Sequence, residues 1–239
     1  MMVVNEDHYA IEVDYGAGSH TLTKQTVGTR NVFVALRTLV DPNDAKDFDR
    51  AHALQDATTV KQTGGPGKFE VPNWDAASQK KIRGALIEQN DTLPDLRRAF
   101  GRKDQVDPVR HLIGTASAWG GNPDHDAIYL NVTPTENNGT TVYKLAVPNK
   151  VPVNAFWSVI VYTADGHLQK NDLNAYSLNS ITAKKDNDGG VTVQFGRCDG
   201  KIPNCLPTTK GWNYMVRLYQ PREDILDGRW KFPEAQRMN

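Results

Sequence analysis

From about residue 126 onward, short β-prone segments alternate with strong turn signals, and this rhythm limits the fold more than anything else in the chain. Ile128, Leu130 and Val132 fall on one face and Tyr129, Asn131 and Thr133 on the other, the two-residue period of a strand. Glu136-Asn137-Asn138-Gly139 reads as a hairpin turn, because Asn and Gly accept positive φ, with a return strand over 142–147. The segment 156–163 is the most β-prone and turns at Ala164-Asp165-Gly166. A further turn at Asp186-Asn187-Asp188-Gly189-Gly190 opens a strand over 191–195, and 214–219 is the last long strand, followed by a short helix over 221–226. Short strands so closely punctuated predict a mainly β fold, an antiparallel sandwich of jelly-roll type.

The N-terminal half reads differently. Residues 8–14 alternate, with Tyr9, Ile11 and Val13 on one face, and 15–19 turn. The apolar run Val32-Phe33-Val34-Ala35-Leu36 predicts a buried strand, although a helical segment would show the same run. Asp41 or Asn43 can cap a polar helix reaching Leu54. The stretch Gly64-Gly65-Pro66-Gly67 predicts a linker over 64–72. Residues 73–118 are helical in pattern: one helix from Asp75 to Gln89, a shorter one over 93–100 with Pro94 early, and a third opened by Asp107 and Pro108. The expected division is a partial N-terminal β/α segment over 1–63, the linker, and a helical segment with the C-terminal sandwich over 73–239.

Charge narrows the function. Lys plus Arg and Asp plus Glu are each 28, for no net charge, so the composition lacks the basic excess that nucleic-acid binding usually draws on, although a local basic patch is still open. The basic clusters Lys80, Lys81, Arg83 and Arg97, Arg98, Arg102, Lys103 read as solvated helix faces. No apolar run reaches the roughly 18 residues of a membrane span, and residues 1–7 lack the pattern of a signal peptide. Cys198 and Cys205 fit a disulfide in an oxidising compartment, with reduced thiols as the alternative; zinc would need two more ligands nearby. A bridge would favour the periplasm or secretion, and free thiols the cytoplasm. No nucleophile elbow, zinc helix, EF-hand loop or dinucleotide fingerprint occurs, and the six histidines share no tight ligand spacing, so no metal or cofactor is implied.

Two groups of residues carry chemistry. Trp119, Tyr129, Asn131, Trp157, Asn174 and Tyr176 combine aromatic faces with amide and hydroxyl groups, a set suited to a small polar ligand or a sugar. The plainer alternative puts Trp119, Trp157 and Trp212 in the core and leaves the asparagines bracing loops. Asp124, His125 and Asp126 surround an imidazole with carboxylates just before a strand and, with His111 and Tyr176, are the candidate acid–base groups.

Several motifs, taken together, resemble a known family. Ala118-Trp119-Gly120-Gly121-Asn122-Pro123, Asp126-Ala127-Ile128-Tyr129-Leu130-Asn131-Val132, Asn154-Ala155-Phe156-Trp157-Ser158-Val159, Asn174-Ala175-Tyr176-Ser177-Leu178-Asn179 and the ending from Gly211-Trp212-Asn213-Tyr214 to Phe232-Pro233 are similar to domain of unknown function 1214. Thr29-Arg30-Asn31-Val32-Phe33-Val34-Ala35-Leu36-Arg37 resembles the closing part of its partner, domain of unknown function 1254, which family members usually carry complete and of which only this last portion is matched here. The resemblance implies jelly-roll-like β-sandwich domains and no particular reaction. Many members are exported, in keeping with a Cys198–Cys205 bridge, and some are labelled hydrolases.

Two readings follow. The first is a binding or assembly module for a small-molecule or carbohydrate ligand, as a homo-oligomer in the assembly case. The second is a hydrolase acting on a small ester, amide or glycoside.

Overall fold

A computed structural model describes residues 1–238 apart from Pro66, Asp91 and Pro94. Pro66 of the expected linker and Pro94 of the expected short helix therefore lie outside the described residues. The chain divides into two compact units, Met1–Pro123 and Asp124–Asn239. It is mostly β, with three sheets of antiparallel and mixed pairing and a few helices.

In the first unit β1 (Met2–Asn5) lies between β2 (Ala10–Val13) and β3 (Val32–Ala35), antiparallel to both. Asn5 fastens this sheet: its Oδ1 accepts the N–H groups of Asp7 and Tyr9, and its Nδ2 donates to the carbonyl of Val27 at the end of helix α1 (Lys24–Val27). The run at 32–36 does form a strand, but it is not buried: Phe33, Val34 and Leu36 are exposed. The expectation fails because β3 pairs only with β1 and lies at the sheet edge. Apolar composition gives the extended backbone, whereas burial needs covering layers on both faces.

Helix α2 (Ala45–Asp56) is capped by Asp44, whose carboxylate accepts from the Lys46 N–H; Asp41 instead closes a turn onto Asn43. Helix α3 (Ala76–Asn90) begins where Asp75 accepts the Ser78 N–H, and it buries no residue. Helix α4 (Pro108–Ser117) starts with Asp107 accepting from Val109 and Arg110, as expected of that cap. The described residues of 93–100 form turns rather than a helix, and Arg98 at φ 60° lies in the left-handed region, which a right-handed helix does not admit. Hydrogen bonds from Ala10 N–H to the Gly101 carbonyl and from Gly120 N–H to His8 Nε2 tie the helical residues to the N-terminal sheet. The helical segment thus belongs with residues 1–63, and the division falls at Pro123, not in 64–72.

The second unit contains β4 (Ala127–Val132), β5 (Tyr143–Val147), β6 (Trp157–Tyr162), β7 (Ser177–Asn179), β8 (Val191–Phe195), β9 (Cys205–Leu206), β10 (Asn213–Tyr219), the short helix α5 (Glu223–Leu226) and β11 (Gln236–Arg237). One sheet runs β4-β10-β6-β7, all antiparallel; the other runs β11-β5-β8-β9, with β8 and β9 parallel. Strands β4 and β5 therefore do not form the expected hairpin, because they belong to different sheets. Asn138 winds the turn inward by accepting from Thr140 and Thr141, and Asn137 accepts from the Gly211 N–H. Gly139, at φ 83°, packs so closely that an added Cβ would stand 2.7 Å from the carbonyl carbon of Thr209. The turn thus docks on residues 209–211 and redirects the chain to the other sheet.

Inward side chains of both sheets share one core. Tyr214, Val216 and Leu218 of β10 meet Trp157, Val159 and Val161 of β6 on one side and Leu145, Val193 and Phe195 on the other. Trp212, Phe195 and Tyr214 stack within it at centroid distances of 4.9 to 6.1 Å. A disulfide joins Cys198 to Cys205 at the start of β9. No helix among the described residues is long and apolar enough to cross a membrane.

Candidate functional site

Strand alternation decides which candidates reach solvent. On the outer face of the four-stranded sheet Tyr129 stands opposite Arg217, which in turn stands opposite Ser158; Asn131 stands opposite Met215. Arg217 Nη2 donates to the Tyr162 hydroxyl at 2.8 Å, so a guanidinium and a phenol are locked together on this face. Trp157 has the opposite parity. It is 4% exposed and packs edge-on against Phe232 in the core, away from Tyr129 and Asn131. The structure thus corrects its assignment as a ligand contact: alternation along β6 turns it inward.

Beyond the end of β6 the chain opens a crevice lined by Tyr162, Thr163, Gln169, Asn171, Tyr176 and Thr209. Its free volume of about 10 Å³ suits a single water. Asn171 is fully engaged there, accepting from Leu173 and Ala175 and donating to the carbonyls of Gln169 and Ala175. Asn174, at φ 49°, is exposed on the same loop. Sharing Thr163, Gln169 and Thr209 with this crevice is an open depression of about 540 Å³, also bordered by Asp165, His167, Leu168 and Lys210. His167 Nδ1 lies 2.8 Å from the Asp165 carbonyl. A carbonyl only accepts, so Nδ1 donates its hydrogen there and Nε2 takes no part in that bond. The depression thus combines an imidazole, an ammonium, a carboxylate, hydroxyls and an amide.

Of the acid–base candidates, His125 and Asp126 are held together at the start of β4. Asp126 is 5% exposed and its Oδ2 lies 3.1 Å from Nε2 of the exposed His125. The 3.1 Å contact is a close approach of a buried carboxylate to an exposed imidazole rather than a hydrogen bond. Asp124 precedes them, half-buried. His111 lies in the first unit, buried and stacked on Tyr9 at 4.4 Å, with Nδ1 2.8 Å from the Ala99 carbonyl and Nε2 3.1 Å from that of Asp7. Trp119 also lies in the first unit. It is 63% exposed, with Phe33 edge-on at 4.7 Å and His8 at 5.5 Å. Of the five proposed contacts in the second unit, Trp157 faces the core while Tyr129 and Asn131 lie on the outer sheet face, so these do not form one platform, and only Asn174 and Tyr176 share a loop.

Sequence reading missed Gln169, His167, Thr209 and Lys210. The turn Asp165-Gly166 signals where His167 falls but not what that turn faces. Thr209 and Lys210 enter from a segment some forty positions away along the chain.

Residues 128–223 match the family described as "Protein of unknown function (DUF1214)". The VPA0106 protein from Vibrio parahaemolyticus resembles 90% of the chain with a TM-score of 0.53 at 21% identity, a likeness of fold. The chain spans 61% of that protein's length. An uncharacterized protein from Burkholderia cenocepacia aligns over 54% of the chain and 33% of its own length, at 18% identity and a TM-score of 0.39. No curated protein matches.

Proposed function

We propose that residues 124–239 form a jelly-roll-like β-sandwich that binds a small polar ligand, a carbohydrate by chemistry, in the depression bordered by Thr163, His167, Gln169, Thr209 and Lys210. The depression itself carries the reading. Its size falls within the roughly 300–1,000 Å³ of ligand pockets, and its lining offers donors and acceptors at mixed spacing, with Tyr162 and Tyr176 in the adjoining crevice. In this reading residues 29–37 are the closing part of a domain of unknown function 1254. The Cys198–Cys205 bridge supports an exported protein, working alone or as a homo-oligomer.

The hydrolase reading is favoured by one observation, the His125–Asp126 pair. A single experiment separates the two. The full chain is titrated with a panel of neutral and acidic mono- and disaccharides while amide NMR spectra are recorded. Binding is expected to shift amides of 163–169 and 209–210 and to weaken at least tenfold in Gln169→Ala and Lys210→Ala. Shifts elsewhere, or none with any sugar, sink the carbohydrate reading. A hydrolysis product that vanishes in His125→Ala would replace it with the enzyme.

A further inference from the structure

Glu12 and Asp14 are two positions apart in and just after β2, so the pleat sends both carboxylates to one side. The turn at 15–19 then brings His20 back over them. His20 Nδ1 lies 2.9 Å from Glu12 Oε1, and Nε2 lies 3.8 Å from Asp14 Oδ2. The two contacts differ in kind. At 2.9 Å Nδ1 is within hydrogen-bond reach of Glu12 Oε1, and Nε2 faces the second carboxylate. At 3.8 Å that second pair is too far apart for a hydrogen bond.

The gap has the dimensions of a shared cation. Two ligands each about 2.1 Å from an ion stand about 3.4 Å apart in a tetrahedron and about 4.2 Å apart when opposed. The observed 3.8 Å lies between these. One ligand atom from each of the three residues lies within 4.8 Å of the others. Asp14 is pre-aimed, because its other oxygen accepts the Gly16 N–H at 2.6 Å. Among the described residues no lysine or arginine forms an ion pair with the Glu12 or Asp14 carboxylate, and the Met1 ammonium donates to the Asp14 backbone carbonyl instead.

We propose that Asp14 and His20 bind a divalent transition-metal ion of the zinc class, with Glu12 orienting the imidazole through Nδ1–H. A carboxylate behind a ligating histidine is the usual means of fixing its tautomer and strengthening its lone pair. Imidazole with carboxylate selects a borderline ion such as Zn²⁺ over Mg²⁺, which prefers all-oxygen sites. Half-exposed ligands leave the remaining coordination positions to water.

The test is calorimetric titration of the full chain with Zn²⁺, and separately with Mg²⁺, at neutral pH. The variants are His20→Ala, Asp14→Asn and Glu12→Gln, each checked for unchanged circular dichroism. One Zn²⁺ per chain is expected, with no matching uptake of Mg²⁺. His20→Ala and Asp14→Asn should weaken binding at least tenfold. Glu12→Gln should keep the stoichiometry while losing about 10- to 100-fold in affinity, the usual cost of removing an orienting partner. Zn²⁺ should also raise the melting temperature of the unsubstituted chain and not that of His20→Ala. Absence of Zn²⁺ uptake, or uptake unchanged in His20→Ala because other histidines hold the ion, overturns the proposal. Equal affinity for Mg²⁺ overturns the assignment of the ion.

Discussion

His8 stands at φ 68°, in the left-handed region, and this puts its ring among Phe100, His111 and Trp119. Its Nε2 accepts the Gly120 N–H at 2.8 Å, which only a nitrogen without a proton can do. Burial, reinforced by the nearby His111, lowers its pKa from the ordinary 6.5. The folded chain therefore takes up this proton at lower pH than the unfolded chain does. The contribution to stability is full above pH 6.5 and is lost progressively as pH falls from there toward the folded value. Asn tolerates positive φ and does not titrate. Urea unfolding at pH 7.5 and 5.0 should show a larger drop for the natural chain than for His8→Asn, and equal drops would remove His8 as the cause. Asp47, Asp75 and Asp107, whose carboxylates are lowered chiefly by backbone N–H donors, act in a separate and more acidic window. The Asp75 and Asp107 caps could be read from sequence, because capping is a local bond between a side chain and its own next turn. His8 could not be, since its partners arrive from residues 100–120.

Elements were legible where their signals are local and illegible where a partner decides. Strands β4, β6, β8 and β10 lie where alternation put them, within a residue or two. Strand β1, of four residues, went unseen, as did β7, β9 and β11, the last three of two or three residues each. Too short to show a period, these three exist because a longer neighbour offers its edge. Strand β9 is a clear case: it pairs in parallel with β8, and its first residue is Cys205. The disulfide closes only a short loop, so the chain-entropy model gives it about 2.5 kcal/mol. Reduction, or the double change Cys198→Ser with Cys205→Ser, should lower the unfolding free energy by about that amount. The loss should appear in denaturant melts followed by Trp212 fluorescence, since Trp212 stacks on Phe195 at the end of β8. A melt indifferent to reductant would show that β9 holds its place without the bridge.

At the scale of the molecule, burial is uneven. Of the fully covered side chains, Leu145, Val159, Val193, Phe195, Tyr214 and Val216 belong to β5, β6, β8 and β10, with Val3, Ala99 and Trp212 elsewhere, whereas α3 buries none. Local opening is cheap where few apolar contacts must break. Hydrogen exchange should therefore be slowest in β6, β8 and β10 and fast along α3; a protected α3 would show that its packing on α4 holds it as firmly as the sheets are held. The amino-acid sequence by itself determined the β-rich class, the helix starts at Asp75 and Asp107 and the long strands, because propensity, periodicity and capping act over a few neighbours. Tertiary structure alone decided that β4 and β5 enter different sheets, that Trp157 faces inward, that the helical segment sides with the N-terminal sheet, and that His20 closes over Glu12 and Asp14. Each of these depends on which distant backbone offers a hydrogen bond or a surface, and a linear pattern holds no record of that choice.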